Sequence, residues 1–132
     1  MKVLIVNAEY YKNLNSSILT SAASYLKKNK IKYSIVKVTG VFEIPVVIAK
    51  YINKYDGFIA LGCVIKGETP HFDLICKATF NGLMDLSITK KKPIGNGIIT
   101  CLNKEQAVKR SKTKGKEAAA AVYDVLLKFK YD

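Results

Sequence analysis

The segment Leu61-Gly62-Cys63-Val64-Ile65-Lys66-Gly67-Glu68-Thr69-Pro70-His71-Phe72-Asp73 places the chain's only histidine beside a Gly-Glu-Thr turn. The turn joins an apolar strand to a helix that opens with proline. Free backbone N–H groups and the positive end of a helix dipole favour an anion at such a junction, phosphate included. Gly67 lets the backbone approach a ligand closely, Thr69 is placed as an N-cap, and Pro70 has no N–H to lose at a first helical position. The dipole disfavours an imidazolium at His71, so a neutral ring there can accept a proton, while Asp73 pulls the other way. There is no Walker A loop and no Gly-x-Gly-x-x-Gly, so a nucleotide is not specifically indicated. Taken alone, the turn is equally an ordinary strand–helix connection, and a lone histidine at a helix start is more often merely structural.

Three other groups could act with it. Arg110 is the one arginine among 22 cationic residues. It serves either as a fixed bidentate donor to carboxylate or phosphate, or as a dipole partner at the end of a short helix. Phe42 and Glu43, after Gly40, offer an aromatic face and a carboxylate, or else a core residue and a helix cap. Lys109, Lys112, Lys114 and Lys116 are spaced like a phosphate-backbone patch, but a solvated joint between helices is the preferred reading. Cys63, Cys76 and Cys101 are odd in number and lack a Cys-x-x-Cys pair. They read as small buried residues in a reducing cytoplasm rather than as a disulfide framework or zinc site.

The elements that must position these groups alternate along the chain. Strands are expected at Val3–Val6, Tyr33–Val38, Phe58–Ile65 and Pro93–Thr100. Helical periodicity runs through Ile18, Leu19, Ala22, Ala23 and Leu26 from an Asn15/Ser16 start, and again from Pro45 through Ile52. A third helix from Pro70 carries His71, Leu74, Ile75, Ala78 and Leu83. Asn103 is an N-cap with Gln106 set to complete a capping box. A lysine-rich joint, 109–116, then leads to a last helix over Ala118–Phe129. The order βαβαβαβαα predicts an α/β, three-layer αβα sandwich around a four-stranded parallel sheet, formed by one domain over residues 1–132. Ligands of such sheets bind beyond the C-terminal strand ends. The turn after Val6, Gly40–Glu43 and Gly67–Thr69 converge there.

Composition narrows the partners. The formal charge of +12, from 22 Lys+Arg against 10 Asp+Glu, invites nucleic acid or an acidic surface. The lysines are scattered, however, and the wealth of Ile, Lys, Asn and Tyr resembles a coding bias. Phosphorylated small molecules fit the charge, and neither nucleic acid nor membrane is expected. The N-terminal apolar run is too short for a signal peptide, and no segment has the apolar length of a membrane span.

Taken together, Gly40-Val41-Phe42-Glu43-Ile44-Pro45, the Leu61–Asp73 segment, and Asn96-Gly97-Ile98-Ile99-Thr100 with Glu105-Gln106-Ala107 through Arg110 resemble the lumazine synthase family. The likeness covers nearly the whole chain in one order. It implies a flavodoxin-like sheet and condensation of a ribitylamino-pyrimidinedione with 3,4-dihydroxybutanone 4-phosphate, with no metal or organic cofactor. By position, Tyr10 stacks on the pyrimidine, and Val41, Phe42 and Glu43 contact the ribityl chain and ring. Cys63, Val64 and Ile65 lie beneath the heterocycle, Glu68 and Thr69 receive the butanone phosphate, His71 is catalytic and Arg110 binds phosphate. Lys114 and Glu117 resemble motif charges near the site.

Three departures stand out. Tyr10 replaces a usual phenylalanine, Val41 replaces a frequent alanine and is expected to crowd the ribityl chain, and Asn96 stands where many members have an aromatic ring. The segment after Arg110 is also short. The resemblance further implies a homo-oligomer with its active site at the subunit interface, and a functional link to riboflavin synthase. The chain begins in its first core strand, whereas shell-forming members often carry an extra N-terminal segment, so a pentamer is expected over a sixty-subunit shell. A non-catalytic flavin- or pterin-binding protein and a basic nucleic-acid-binding domain are the rival readings.

Overall fold

The computed structural model describes residues 1–130. Four parallel strands form one sheet in the order β2-β1-β3-β4: β1 (Lys2–Ala8), β2 (Lys32–Val38), β3 (Gly57–Ile65) and β4 (Ile94–Cys101). This is the flavodoxin-like order, with the switch point beside β1 and β3. The helices are α1 (Lys12–Lys28), α2 (Ile44–Tyr51), α3 (Phe72–Lys90), α4 (Lys104–Ser111) and α5 (Lys114–Lys130).

β3 is buried along its whole length, and Val3 to Val6 of β1 are also fully buried, as continuous apolar runs in a doubly covered sheet require. Alternate residues feed two cores. Ile5, Ile59, Leu61, Cys63, Ile65 and Ile99 pack against Ile18, Ala22 and Leu26 of α1 and Ala119, Val122 and Leu126 of α5. Leu4, Val6, Phe58, Ala60, Val64 and Ile98 pack against Ile44 and Ile48 of α2 and Leu83 of α3.

Several element ends differ from expectation. α1 starts at Lys12, with Tyr11 at the cap position and no side-chain cap bond, so Asn15 and Ser16 cap nothing. Burial of Leu14 draws the extra turn into the helix. Thr69 is not the N-cap of α3; its carbonyl accepts from Phe72 N–H at 3.2 Å, and His71 takes the cap position. Leu74 and Ala78 face solvent rather than the core. The joint before the last helix shrinks to Lys112 and Thr113, because α5 begins four residues early, at Lys114. Gly115 lets that first turn lie on α1: a Cβ there would stand 2.1 Å from Ile18 O. The Asn103 cap is present, its Oδ1 accepting from Gln106 N–H at 2.9 Å, and Gln106 Oε1 accepts from Leu102 N–H, also at 2.9 Å.

Candidate active site

A cavity of about 340 Å³ lies at the C-terminal strand ends. Three connections build it. The first leaves β1 through Glu9, Tyr10 and Tyr11, and is pinned to β2 by Glu9 N–H donating to Val38 O at 2.9 Å. The Tyr10 and Tyr11 rings meet edge to face with centroids 4.9 Å apart, and Tyr10 is 63% exposed at the mouth.

The second connection is the one-turn 3-10 helix Val41–Glu43 between β2 and α2. Gly40 N–H donates to Glu43 Oε1 at 3.0 Å, and Glu43 N–H donates back to Gly40 O at 3.2 Å. This reciprocal pair fixes the turn, with Pro45 entering the first turn of α2. Phe42 stays exposed, while Val41 is buried against β3. A Cβ on Gly62 would stand 2.5 Å from Val41 Cγ1. Gly62 therefore makes room for the valine, and part of the bulk expected to crowd a ligand is taken up over the strand.

The third connection is the turn after β3. Lys66 N–H donates to Cys101 O at 2.9 Å, continuing the β3–β4 pairing, and Glu68 N–H donates to Ile65 O at 3.3 Å. Gly67 has φ +89°, a conformation that glycine adopts without strain. Glu68, Thr69 and Pro70 line the cavity, as do Cys63 and Val64 from the strand.

The expected residues therefore divide. Tyr10, Val41, Phe42, Glu43, Cys63, Val64, Glu68 and Thr69 share one cavity. Ile65 does not line it; its side chain lies in the core toward α1 and α5. His71 lies on the other side of the Gly67–Pro70 turn, in a separate hollow of about 390 Å³ with Lys66, Asp73 and Leu74. Thr69 and Pro70 border both spaces.

Arg110 reaches from α4 to the strand ends, its Nη1 donating to Thr100 O at 2.8 Å. Asn96 is far from the cavity along β4, roughly 16 Å from the strand's end at Cys101, and its Oδ1 accepts from Ile98 N–H at 3.1 Å. Lys114 and Glu117 lie in the first turn of α5, outside the cavity lining.

Electrostatics at the floor favour neutral groups. Burial, then the neighbouring Cys101 thiol, pushes the Cys63 thiol up to about 12, with Glu68 adding to the shift and the Arg110 charge opposing it. Arg110 is thus felt at the cavity floor. Tyr11, Thr39 and Ile75 also line the cavity and were missed in the sequence. The tyrosine doublet beyond β1 was the available signal for Tyr11.

A parallel α/β sheet with a mostly apolar cavity at its C-terminal edge, an anion-suited turn in its lining and an arginine whose charge acts on its floor, defines a small-molecule-binding protein of the α/β class. The sequence model of the 6,7-dimethyl-8-ribityllumazine synthase family matches residues 1–130. The chain is 42% identical over 137 aligned residues to the 6,7-dimethyl-8-ribityllumazine synthase of Bartonella tribocorum, covering 98% of this chain and 91% of that protein. It is 43% identical to that of Bartonella henselae, covering 99% and 90%, and 41% identical to that of Agrobacterium fabrum, covering 94% and 91%. The chain belongs to the 6,7-dimethyl-8-ribityllumazine synthase family, enzymes of riboflavin biosynthesis.

Proposed function

We propose that this chain condenses 5-amino-6-(D-ribitylamino)uracil with 3,4-dihydroxy-2-butanone 4-phosphate to give 6,7-dimethyl-8-ribityllumazine, phosphate and two waters. The observation that carries this reading is the convergence of Val41–Glu43, Cys63–Val64 and Glu68–Thr69 on one cavity in a chain of this family. The pyrimidine lies between the exposed Tyr10 ring and the strand end, with the ribityl chain along Val41–Glu43. The phosphate is received at the Glu68–Thr69 turn and by Arg110.

The primary amine adds to the ketone and loses water to form an imine. Phosphate then leaves from the adjacent carbon skeleton, and the resulting enol tautomerises to a new carbonyl. The ribitylamino nitrogen closes on that carbonyl with loss of the second water. Holding two already reactive partners in line supplies most of the acceleration. His71 moves protons during imine formation and elimination, which in this reading brings its ring from the neighbouring hollow across the Thr69–Pro70 border. Arg110 stabilises the charge that develops on the departing phosphate. No cofactor is invoked.

The functional form in this reading is a homo-oligomer, a pentamer, with the site at the subunit interface. Supporting it are the remoteness of Asn96, which one protomer's cavity does not use, and exposed Val46, Leu74, Met84 and Ile88 on α2 and α3. Among the described residues no helix is long and apolar enough to cross a membrane. The three free cysteines fit work in a reducing cytoplasm. Mixing the two substrates with the protein should generate lumazine absorbance faster than the protein-free mixture; equal rates would sink the proposal, leaving the binding-protein reading.

A further inference from the structure

The Glu68 side chain lies beside a phenol rather than beside any of the chain's 22 cationic residues. Among the described residues it makes no ion pair. Its hydrogen-bonding neighbour is the Tyr11 hydroxyl. That hydroxyl is closed to water, and its approach to the carboxylate stops short of full hydrogen-bond geometry. Both residues line the cavity, Tyr11 from the first connection and Glu68 from the third. The carboxylate's charge acts on the Cys63 thiol at the floor as well.

The third connection is lightly held. Gly67, at φ +89°, stands in open space. Two long backbone bonds close the turn, Glu68 N–H to Ile65 O at 3.3 Å and Phe72 N–H to Thr69 O at 3.2 Å. A segment with so few packed contacts opens easily unless something outside it ties it down. The first connection is firmer. Glu9 N–H donates to Val38 O and Asn15 N–H to Tyr11 O, both at 2.9 Å, and the Tyr10 ring braces Tyr11 edge to face. Burial, and then the hydrogen bond to Glu68, raises the Tyr11 phenol well above its ordinary range. A neutral donor thus faces a charged acceptor, the stronger kind of hydrogen-bonding pair.

We propose that Tyr11 is a positioning residue: its hydroxyl donates to the Glu68 carboxylate and so holds the Gly67–Thr69 turn in the form that receives the phosphorylated ketone. The pair ties the firm connection to the loose one across the cavity. Removing either partner frees the turn as fully as removing both. The role rests on the reaction proposed above and adds to it the contact that shapes the phosphate seat.

The test is steady-state lumazine formation by the full-length assembled protein and its Tyr11→Phe, Glu68→Ala and doubly substituted forms, varying each substrate in turn. Phenylalanine keeps the ring and its contact with Tyr10, and alanine keeps the backbone groups of the turn. Expected for each single variant is a rise of about fivefold in KM for the butanone phosphate, with a matching rise in the double variant and a pyrimidine KM within about twofold of wild type. Factors that multiply in the double variant would overturn the pairing, because independent residues add in free energy. So would an unchanged KM in Tyr11→Phe, or an equal rise for both substrates, which would mark a general loss of packing. Wild-type protein that makes no lumazine would take down the reaction and this inference together. Normal wild-type turnover with an indifferent Tyr11→Phe variant would take down the inference alone.

Discussion

The two faces of the sheet are finished to different degrees. On one face α1, α4 and α5 close over β1, β3 and β4 with Ile18, Ala22, Leu26, Ala107, Ala118, Ala119 and Val122, all almost fully buried. On the other, α3 runs for 19 residues yet buries only Thr79 and Leu83, and Leu74, Met84 and Ile88 stay more than half exposed. The closed face is a scaffold that holds β3 rigid beneath the cavity. The open face carries the 3-10 turn and α3, the elements nearest the ligand entrance, and its apolar surface suits cover by another copy. His71 belongs to the open face and Arg110 to the closed one, so the proposed chemistry spans both.

The strongest break is at the closed face. Gly115→Ala would place a methyl group 2.1 Å from Ile18 O and 2.8 Å from Ala22 N, both backbone atoms that cannot rotate away. α1 and α5 must separate, at a cost of about 3 kcal/mol, a large share of a small domain's stability. Chemical denaturation should show that loss, and a variant as stable as wild type would mean the helix pair is not the rigid element described.

The open face should respond in the opposite way. Leu74→Glu with Ile88→Glu places charge at positions 69% and 67% exposed, so the isolated protomer should lose less than about 1 kcal/mol. Burying those charges between copies is costly, and sedimentation should show smaller particles than wild type. Equal sedimentation of the two would assign the stripe to plain solvent exposure.

Arg110→Lys asks whether the closed face contributes to phosphate binding. One guanidinium nitrogen is committed to Thr100 O, leaving the others free for a ligand. A single ammonium lacks the fork needed to hold the carbonyl and a phosphate in fixed geometry. KM for the butanone phosphate should rise about tenfold, with pyrimidine binding nearly unchanged. Equal loss for both substrates would remove Arg110 from the phosphate site.

The sheet was legible because period and run length carry it: β1 and β3 read as unbroken apolar strands, and Pro45 and Asn103 marked helix starts by their backbone chemistry. Most of the cavity wall followed, since parallel topology brings successive strand-end turns to one edge. What was not legible depended on tertiary packing. Tyr11 starts α1 without any capping side chain, so propensity pointed instead to Asn15 and Ser16. α5 begins early because Gly115 can lie against α1, a fact invisible in a lysine-rich stretch. The exposure of Leu74 is hidden from periodicity too, since an apolar residue facing solvent and one facing the core look alike in sequence.

The gentlest test concerns how dry the closed face remains where it meets the cavity at Cys63. Burial pushes this thiol from 9.0 to about 12, while Arg110 opposes part of the shift. A folded-state value above the unfolded one means that the native protein holds the proton more tightly. The associated stability is fully present below pH 9 and is lost as pH rises toward 12. Between about pH 9 and 10, before an unfolded-state tyrosine ordinarily titrates, wild type should lose more of its urea midpoint than Cys63→Ala. Native Cys63 should also alkylate far more slowly at pH 8 than an unfolded cysteine, because reaction needs the thiolate. Alkylation as fast as in the unfolded chain would show water reaching the floor of the cavity, and the contrast between a sealed and an unfinished face would then fail at the strand that joins them.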